Sequence, residues 1–130
     1  MVKFSANLGF LWADIPLPAA ILAAKSAGFD AVECHWPYDT AATEIVKALD
    51  DTGLAMLGIN TFKGDDKGGG FGLSAVPGQQ AAARLAIDQA IFFAAQIGAE
   101  AVHVMAGKAA GAEAKTVFEA NLAYACTKAL

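Results

Sequence analysis

The sequence is poor in cysteine, in histidine and in charge: two cysteines, two histidines, and 17% charged residues in a chain of 130. Each scarcity excludes something. Cys34 and Cys126 are too few and too far apart for a disulfide framework or a CxxC metal site, and both are expected as buried thiols. Apolar residues come in runs of about four to seven, against the roughly 18 a membrane span needs, so a mean hydropathy of +0.44 signals a large core and no membrane partner. Nine Lys and Arg face thirteen Asp and Glu, a net charge of −4 with no basic cluster, which argues against nucleic acid. Met1-Val2-Lys3-Phe4-Ser5 runs directly into strand-like sequence without the apolar segment and cleavage site of a secretory signal, which predicts a cytoplasmic location.

What the chain has is 56% hydrophobic residues over the length of one domain, residues 1–130. It also repeats itself. The stretches 27–33 (Ala-Gly-Phe-Asp-Ala-Val-Glu), 52–58 (Thr-Gly-Leu-Ala-Met-Leu-Gly) and 97–103 (Ile-Gly-Ala-Glu-Ala-Val-His) superimpose glycine on glycine. In each, a helix-like segment comes before the glycine and a short apolar run comes after it. That is the junction of a βα repeat, with glycine as the left-handed residue ending the helix.

The spacing predicts strands at about 3–8, 31–36, 55–60 and 101–106. Helices are predicted at about 17–27, with Asp14 and Pro16 as start signals, and at 41–51, capped by Thr40 and bearing Ile45, Ala48 and Leu49 on one face. A third, at 79–97, carries Leu85, Ala86, Ala90, Phe93, Ala94 and Ile97. The fourth, at 112–129, carries Phe118, Leu122, Ala125 and Ala129.

Four strand–helix units predict an α/β fold with a parallel sheet and right-handed crossovers. Either an open doubly wound sheet or an arc of a (β/α)₈ barrel fits. Side chains alternate faces along a strand. Val32 and Cys34, Leu57 and Ile59, and Val102 and Val104 make one face apolar. Glu33 and His35, Gly58 and Asn60, and His103 and Met105 make the other mixed, with Ser5 and Asn7 joining it from the first strand. A doubly wound sheet needs both faces apolar, whereas a barrel covers only its outer face with helices and opens its inner face into a catalytic mouth. The pattern favours half of a TIM-type barrel.

The stretches "KFSANLGFLWADIPL", "GFDAVECHWPYD", "GLSAVPGQQ" and "GAEAVHVMAGK" resemble, in that order, the N-terminal half of hydroxypyruvate isomerases of the xylose-isomerase-like TIM barrel superfamily. The resemblance implies interconversion of hydroxypyruvate and tartronate semialdehyde, with two catalytic glutamates and proton transfer through an enediolate stabilised by a divalent metal, Mg or Mn. It also implies that those glutamates and the metal ligands come from strands five to eight. No catalytic or metal residue is therefore expected within 1–130, no metal is expected bound by this chain alone, and the chain alone is expected to be inactive. Gln79-Gln80 departs from the family, where an Arg-Glu pair often stands. Related sugar isomerases and epimerases share the architecture and remain an alternative.

Candidate residues for binding a small hydroxy-keto acid or sugar sit at the strand ends. Asn7, Glu33, His35, Asn60 and His103 occupy the mixed face, and Lys63 offers a cation to a carboxylate. Trp36 and Tyr38 would form the rim that keeps water out. The plainer readings are interior ion pairing for Glu33 and His35, loop packing against Trp12 or Phe10 for the aromatics, and an exposed lysine for Lys63. Two histidines and a glutamate in register could also hold a metal. "GGGFG" (68–72) and "GKAAG" (107–111) lack dinucleotide and P-loop spacing and are expected as a flexible, lid-type loop and a turn. Four strands cannot close a barrel, so their open edges predict self-association.

Overall fold

A computed structural model describes residues 1–130. In chain order the elements are β1 (Ser5–Asn7), α1 (Leu17–Ser26), β2 (Ala31–Glu33), α2 (Ala42–Thr52), β3 (Ala55–Met56), β4 (Ile59–Asn60), α3 (Gln80–Ile97), β5 (Val102–His103) and α4 (Ala112–Ala129). Short 3₁₀ turns lie at Pro37–Asp39 and Asp66–Gly68. The chain packs as two compact units: Met1–Ile59 with Phe93–Val102, and Asn60–Phe92 with His103–Leu130.

In the first unit β1, β2 and β3 form a parallel sheet in that order. Its register pairs Ala6 with Val32 and Val32 with Met56, and on the opposite face Asn7 with Glu33. Ala6, Val32 and Met56 are no more than 1% exposed, as are Ile21 of α1 and Ile45 of α2. Burial of each large apolar side chain contributes about 1.5–3 kcal/mol, so this layer of helices on one sheet face holds the unit together. On the other face Ser5 is exposed and Asn7 and Glu33 are half-buried. The alternation read from the sequence is therefore present in both strands.

The strand expected over 55–60 is two short strands separated by Leu57 and Gly58. Hydrogen bonds still leave this segment on alternate sides, from Leu57 N–H to the Val32 carbonyl (2.8 Å) and from Ile59 N–H to the Ala101 carbonyl (3.2 Å). Gly58 brings no side chain to hold the pleat, so regular strand geometry lapses there. β4 and β5 make the second, two-stranded sheet.

The αβ glycines behave as expected: Gly28, Gly53 and Gly98 have φ of +91°, +70° and +69°. The predicted side-chain caps do not form. Pro16 and Ala41 stand at the N-caps of α1 and α2, and neither has a side-chain oxygen to cap with. Leu85 is 71% exposed, because the buried stripe of α3 runs through Ala83, Ile87, Ala90, Ala94 and Ile97. On α4 the buried residues are Ala114, Asn121 and Ala125. Cys126 and Ala129 therefore lie on solvent, so only Cys34 of the two thiols is buried.

In the second unit the glycine-rich segment is stitched down rather than loose. Gly72 N–H donates to the Lys63 carbonyl (2.7 Å), Gly107 N–H to Phe71 (2.9 Å) and Ala75 N–H to Ala106 (2.7 Å). The segment folds over the end of β5, which is why Met105, expected on an open inner face, is 8% exposed. Ser74 and Thr61 are buried beside it, and Thr61 Oγ1 accepts from Met105 N–H at 3.0 Å.

Candidate functional site

β1 and β2 end side by side, and the loops that follow them carry most of the candidate residues of the first unit. The Asn7 side chain turns back on its own loop, its Oδ1 accepting from Gly9 N–H at 2.9 Å, while the Asn7 carbonyl accepts from Leu11 N–H. This Asx turn brings the chain over the end of β2. His35 then lies against Gly9. A Cβ built at position 9 would stand 2.2 Å from His35 Nδ1, so only glycine permits this approach.

Aromatic edges complete the seat of His35. The Phe10 ring meets it at 4.9 Å and 88°, and Trp36 at 5.3 Å and 61°. His35 is thus placed by ring contacts, not by the ion pair with Glu33 that its spacing also suggested. Tyr38 packs edge-on to Phe93 at 5.4 Å. Burial, and then the neighbouring Cys34 thiol, pushes the Tyr38 phenol above its ordinary range. Cys34 itself is raised to about 12, by burial first and by the charge of Glu33 second. A thiol held so firmly protonated is no nucleophile at neutral pH.

Between the β1 and β2 loops lies a cleft of about 250 Å³, lined by Leu8, Gly9, Trp12, Cys34, His35 and Trp36 among others. Trp12 is the chain's one non-glycine residue at positive φ, +54°. The sequence reading took Trp12 as packing material and missed Gly9 altogether. The signal for Gly9 was present in Asn7-Leu8-Gly9, an Asn two residues ahead of a glycine at a strand end.

The second unit holds the other polar pair. His103 Nδ1 lies 3.2 Å from Asn60 Oδ1. The His103 ring is exposed, and Nδ1 is the nitrogen turned to the amide oxygen. Lys63 is exposed, and its carbonyl anchors the glycine-rich segment. Asn121, fully buried on α4, was not foreseen. Its Nδ2 donates to the Ser74 carbonyl at 2.8 Å and its Oδ1 accepts from Arg84 Nε at 3.4 Å.

No group of three or more His, Cys, Asp or Glu side chains is placed to hold a metal ion, so the two-His, one-carboxylate arrangement is not formed. The donor chemistry for a divalent ion is not assembled from these residues. No helix is long and apolar enough to cross a membrane.

Parallel strands each followed by a helix, with polar side chains gathered at the strand C-terminal ends under the βα loops, define the class: barrel-type (βα) architecture with an enzyme-like face. Residues 21–130 match the xylose isomerase-like TIM barrel family, and the chain belongs to it. A human protein named "Putative hydroxypyruvate isomerase" is 41% identical over 95% of this chain and 48% of its own length. A 2-oxo-tetronate isomerase of Haemophilus influenzae is 39% identical over 98% of this chain and 51% of its own. Among solved structures, an AP endonuclease, family 2, from Brucella melitensis superimposes with a TM-score of 0.88 at 30% identity, covering 98% of this chain and 51% of that one. The chain spans about half the length of the curated relatives it matches.

Proposed function

We propose that this chain supplies the N-terminal half of an isomerase barrel acting on a short hydroxy-oxo acid, either hydroxypyruvate, interconverted with tartronate semialdehyde, or its four-carbon homologue 2-oxo-tetronate. The observation that carries the reading is the agreement of relatives named for these two isomerisations with polar strand-end residues within each unit, Asn7, Glu33 and His35 in one and, separately, Asn60 and His103 in the other. Such an isomerisation moves a proton between adjacent carbons, through an enediolate, and exchanges which of them bears the carbonyl.

In this reading the chain's own residues bind and orient. Glu33, His35 and His103 offer hydrogen bonds to substrate hydroxyls, Lys63 offers a charge to the carboxylate, and Trp36 and Tyr38 keep water from the reacting carbons. The glutamates that move the proton, and the Mg or Mn site implied by the resemblance, are assigned to the part of the barrel outside residues 1–130. The acidic charge and the lack of a basic cluster support a small-molecule substrate and no nucleic acid, and we place the protein in the cytoplasm.

The test is an isomerase assay with hydroxypyruvate and with 2-oxo-tetronate in the presence of Mg²⁺ or Mn²⁺. The chain alone is expected to show no turnover, whereas the chain fused to the C-terminal half of the Haemophilus relative is expected to isomerise one of the two acids. Turnover by the chain alone, or none by the fusion, overturns the proposal. A second reading, a half-barrel that pairs with its own copy, is favoured by β1 having β2 as its single sheet neighbour, and by the exposure of Val2 and Phe4 (77% and 67%) at that edge. Sedimentation separates the two, since a discrete dimer supports the second and a monomer excludes it.

A further inference from the structure

The loop that follows β5 carries a cation, Lys108, with no anion beside it. A hydroxy-oxo acid is itself an anion, so its site needs a positive charge that is held in place and not already neutralised. Most cations of the chain fail one of these conditions. Lys47, Lys67 and Lys115 pair with carboxylates, and Arg84 and Lys128 lie over Tyr124 on helices α3 and α4. Lys3 and Lys25 precede β1 and β2, away from the strand C-terminal ends where barrels of this kind react. Lys63 and Lys108 remain, on the loops after β4 and β5.

Lys108 is laid down along the glycine-rich segment. Its N–H donates to the Gly68 carbonyl at 3.0 Å, and the preceding Gly107 N–H donates to the Phe71 carbonyl at 2.9 Å. The stem runs against Gly69, where a Cβ would stand 2.8 Å from Lys108 Cδ and 3.3 Å from Cγ. The ammonium ends 4.7 Å from the centroid of the Phe71 ring, which is 52% exposed. A ring face attracts a cation without cancelling its charge, so the N–H donors directed away from the ring remain for an anion. A side chain already ordered in this way loses less freedom when it binds. We propose that Lys108, rested on Phe71 and Gly69, is a carboxylate-binding residue for the substrate. The inference rests on the isomerase reading above and adds to it a residue, with the seat that holds its charge ready.

The test follows the lysine ε-methylene signals of the 130-residue chain, carbon-13 labelled, by NMR. Lys108→Arg identifies the signal of interest, and the Phe71 ring current is expected to set it upfield of the other lysines. The chain is titrated with hydroxypyruvate and, separately, with dihydroxyacetone, the neutral ketone that has a hydroxymethyl group in place of the carboxylate. Hydroxypyruvate is expected to move the Lys108 signal saturably, and dihydroxyacetone to leave it in place. In the barrel completed by fusion, Lys108→Met is expected to raise KM for the acid about tenfold or more with kcat little changed, and Lys108→Arg to recover most of the loss. A Lys108 signal that the acid leaves in place, one that dihydroxyacetone moves equally, a response confined to Lys63, or a parental KM in Lys108→Met overturns the proposal. The isomerase reading fails separately, if the parent fusion turns over neither acid, and the titration still decides whether Lys108 binds a carboxylate.

Discussion

His35 and Gly9 form a contact that exists only because position 9 has no side chain: a methyl there would stand 2.2 Å from Nδ1 and 2.3 Å from Cε1 of the imidazole. The neighbour that must give way is a side chain, not backbone, so Gly9→Ala should be tolerated at a cost of about 1–3 kcal/mol. The His35 ring should leave the Phe10 edge as it yields. Urea denaturation reads the first effect, and the ring-current shift of the His35 Cε1–H resonance reads the second. An unchanged resonance would mean that the ring does not rest on Gly9.

Gly72 and Gly107 cross as closely, and there the obstacle is backbone. A Cβ on Gly72 would lie 2.2 Å from the Met105 carbonyl oxygen, one on Gly107 2.3 Å from the Gly72 carbonyl oxygen, and both residues have positive φ. Gly72→Ala is expected to cost about 3 kcal/mol or more, since neither neighbour can rotate away. Gly53→Ala is the matched control. It has φ +70° but open space around its Cβ, so it should cost only about 1–2 kcal/mol. Chemical denaturation of the two variants side by side checks the ordering.

These glycines mark where the sequence was legible and where it was not. The βα repeat was readable because Gly28, Gly53 and Gly98 obey a local rule, the left-handed turn that ends a helix, and the period-2 alternation of Ala6-Asn7 and Val32-Glu33 is equally local. The same local reading erred on Met105 and Cys126. Met105 is covered by a segment more than thirty residues earlier in the chain, and Cys126 depends on the rotational phase of α4. Alanine-rich helices hide that phase, since a residue with one methyl group sits on either face at little cost. On α3 Leu85 was expected on the buried face and is exposed, while Ala83 and Ile87, not expected there, are buried. Of the candidate site, residue types at strand ends could be named, but their seats could not. The seat of His35 depends on Phe10 and Gly9, and no spacing rule connects those to position 35.

Asn121 bears out the complementary lesson, that a polar residue in an alanine-rich helix is there to be bonded. It is fully buried, donating to the Ser74 carbonyl at 2.8 Å and accepting from Arg84 at 3.4 Å. Asn121→Leu fills the volume but leaves the carbonyl of Ser74, itself 2% exposed, without that donor. The expected loss is about 1–3 kcal/mol, visible as a lowered thermal midpoint. A variant as stable as the parent would show that the carbonyl finds another donor.

The two cysteines should separate cleanly in chemistry and in their effect on stability. Cys126 is exposed, so a thiol reagent at neutral pH should modify one cysteine rapidly in the folded chain and the second only on unfolding. Cys34 resists for two reasons, since burial blocks the reagent and, with the charge of Glu33 adding to it, raises the thiol from 9.0 to about 12. That shift also makes folding pH-dependent. Between these values the unfolded chain gives up the Cys34 proton while the folded chain keeps it, so stability from this group is complete below about pH 9 and is lost as pH rises towards 12. The raised Tyr38 phenol acts with the same sign, starting from 10.0. Cys34→Ser keeps the volume close and removes most of the thiol's titration, so the decline of stability from pH 9 upward should be shallower in that variant than in the parent. Parallel curves in urea at pH 8 and pH 10.5 check it, and identical slopes in the two proteins would place the titration elsewhere.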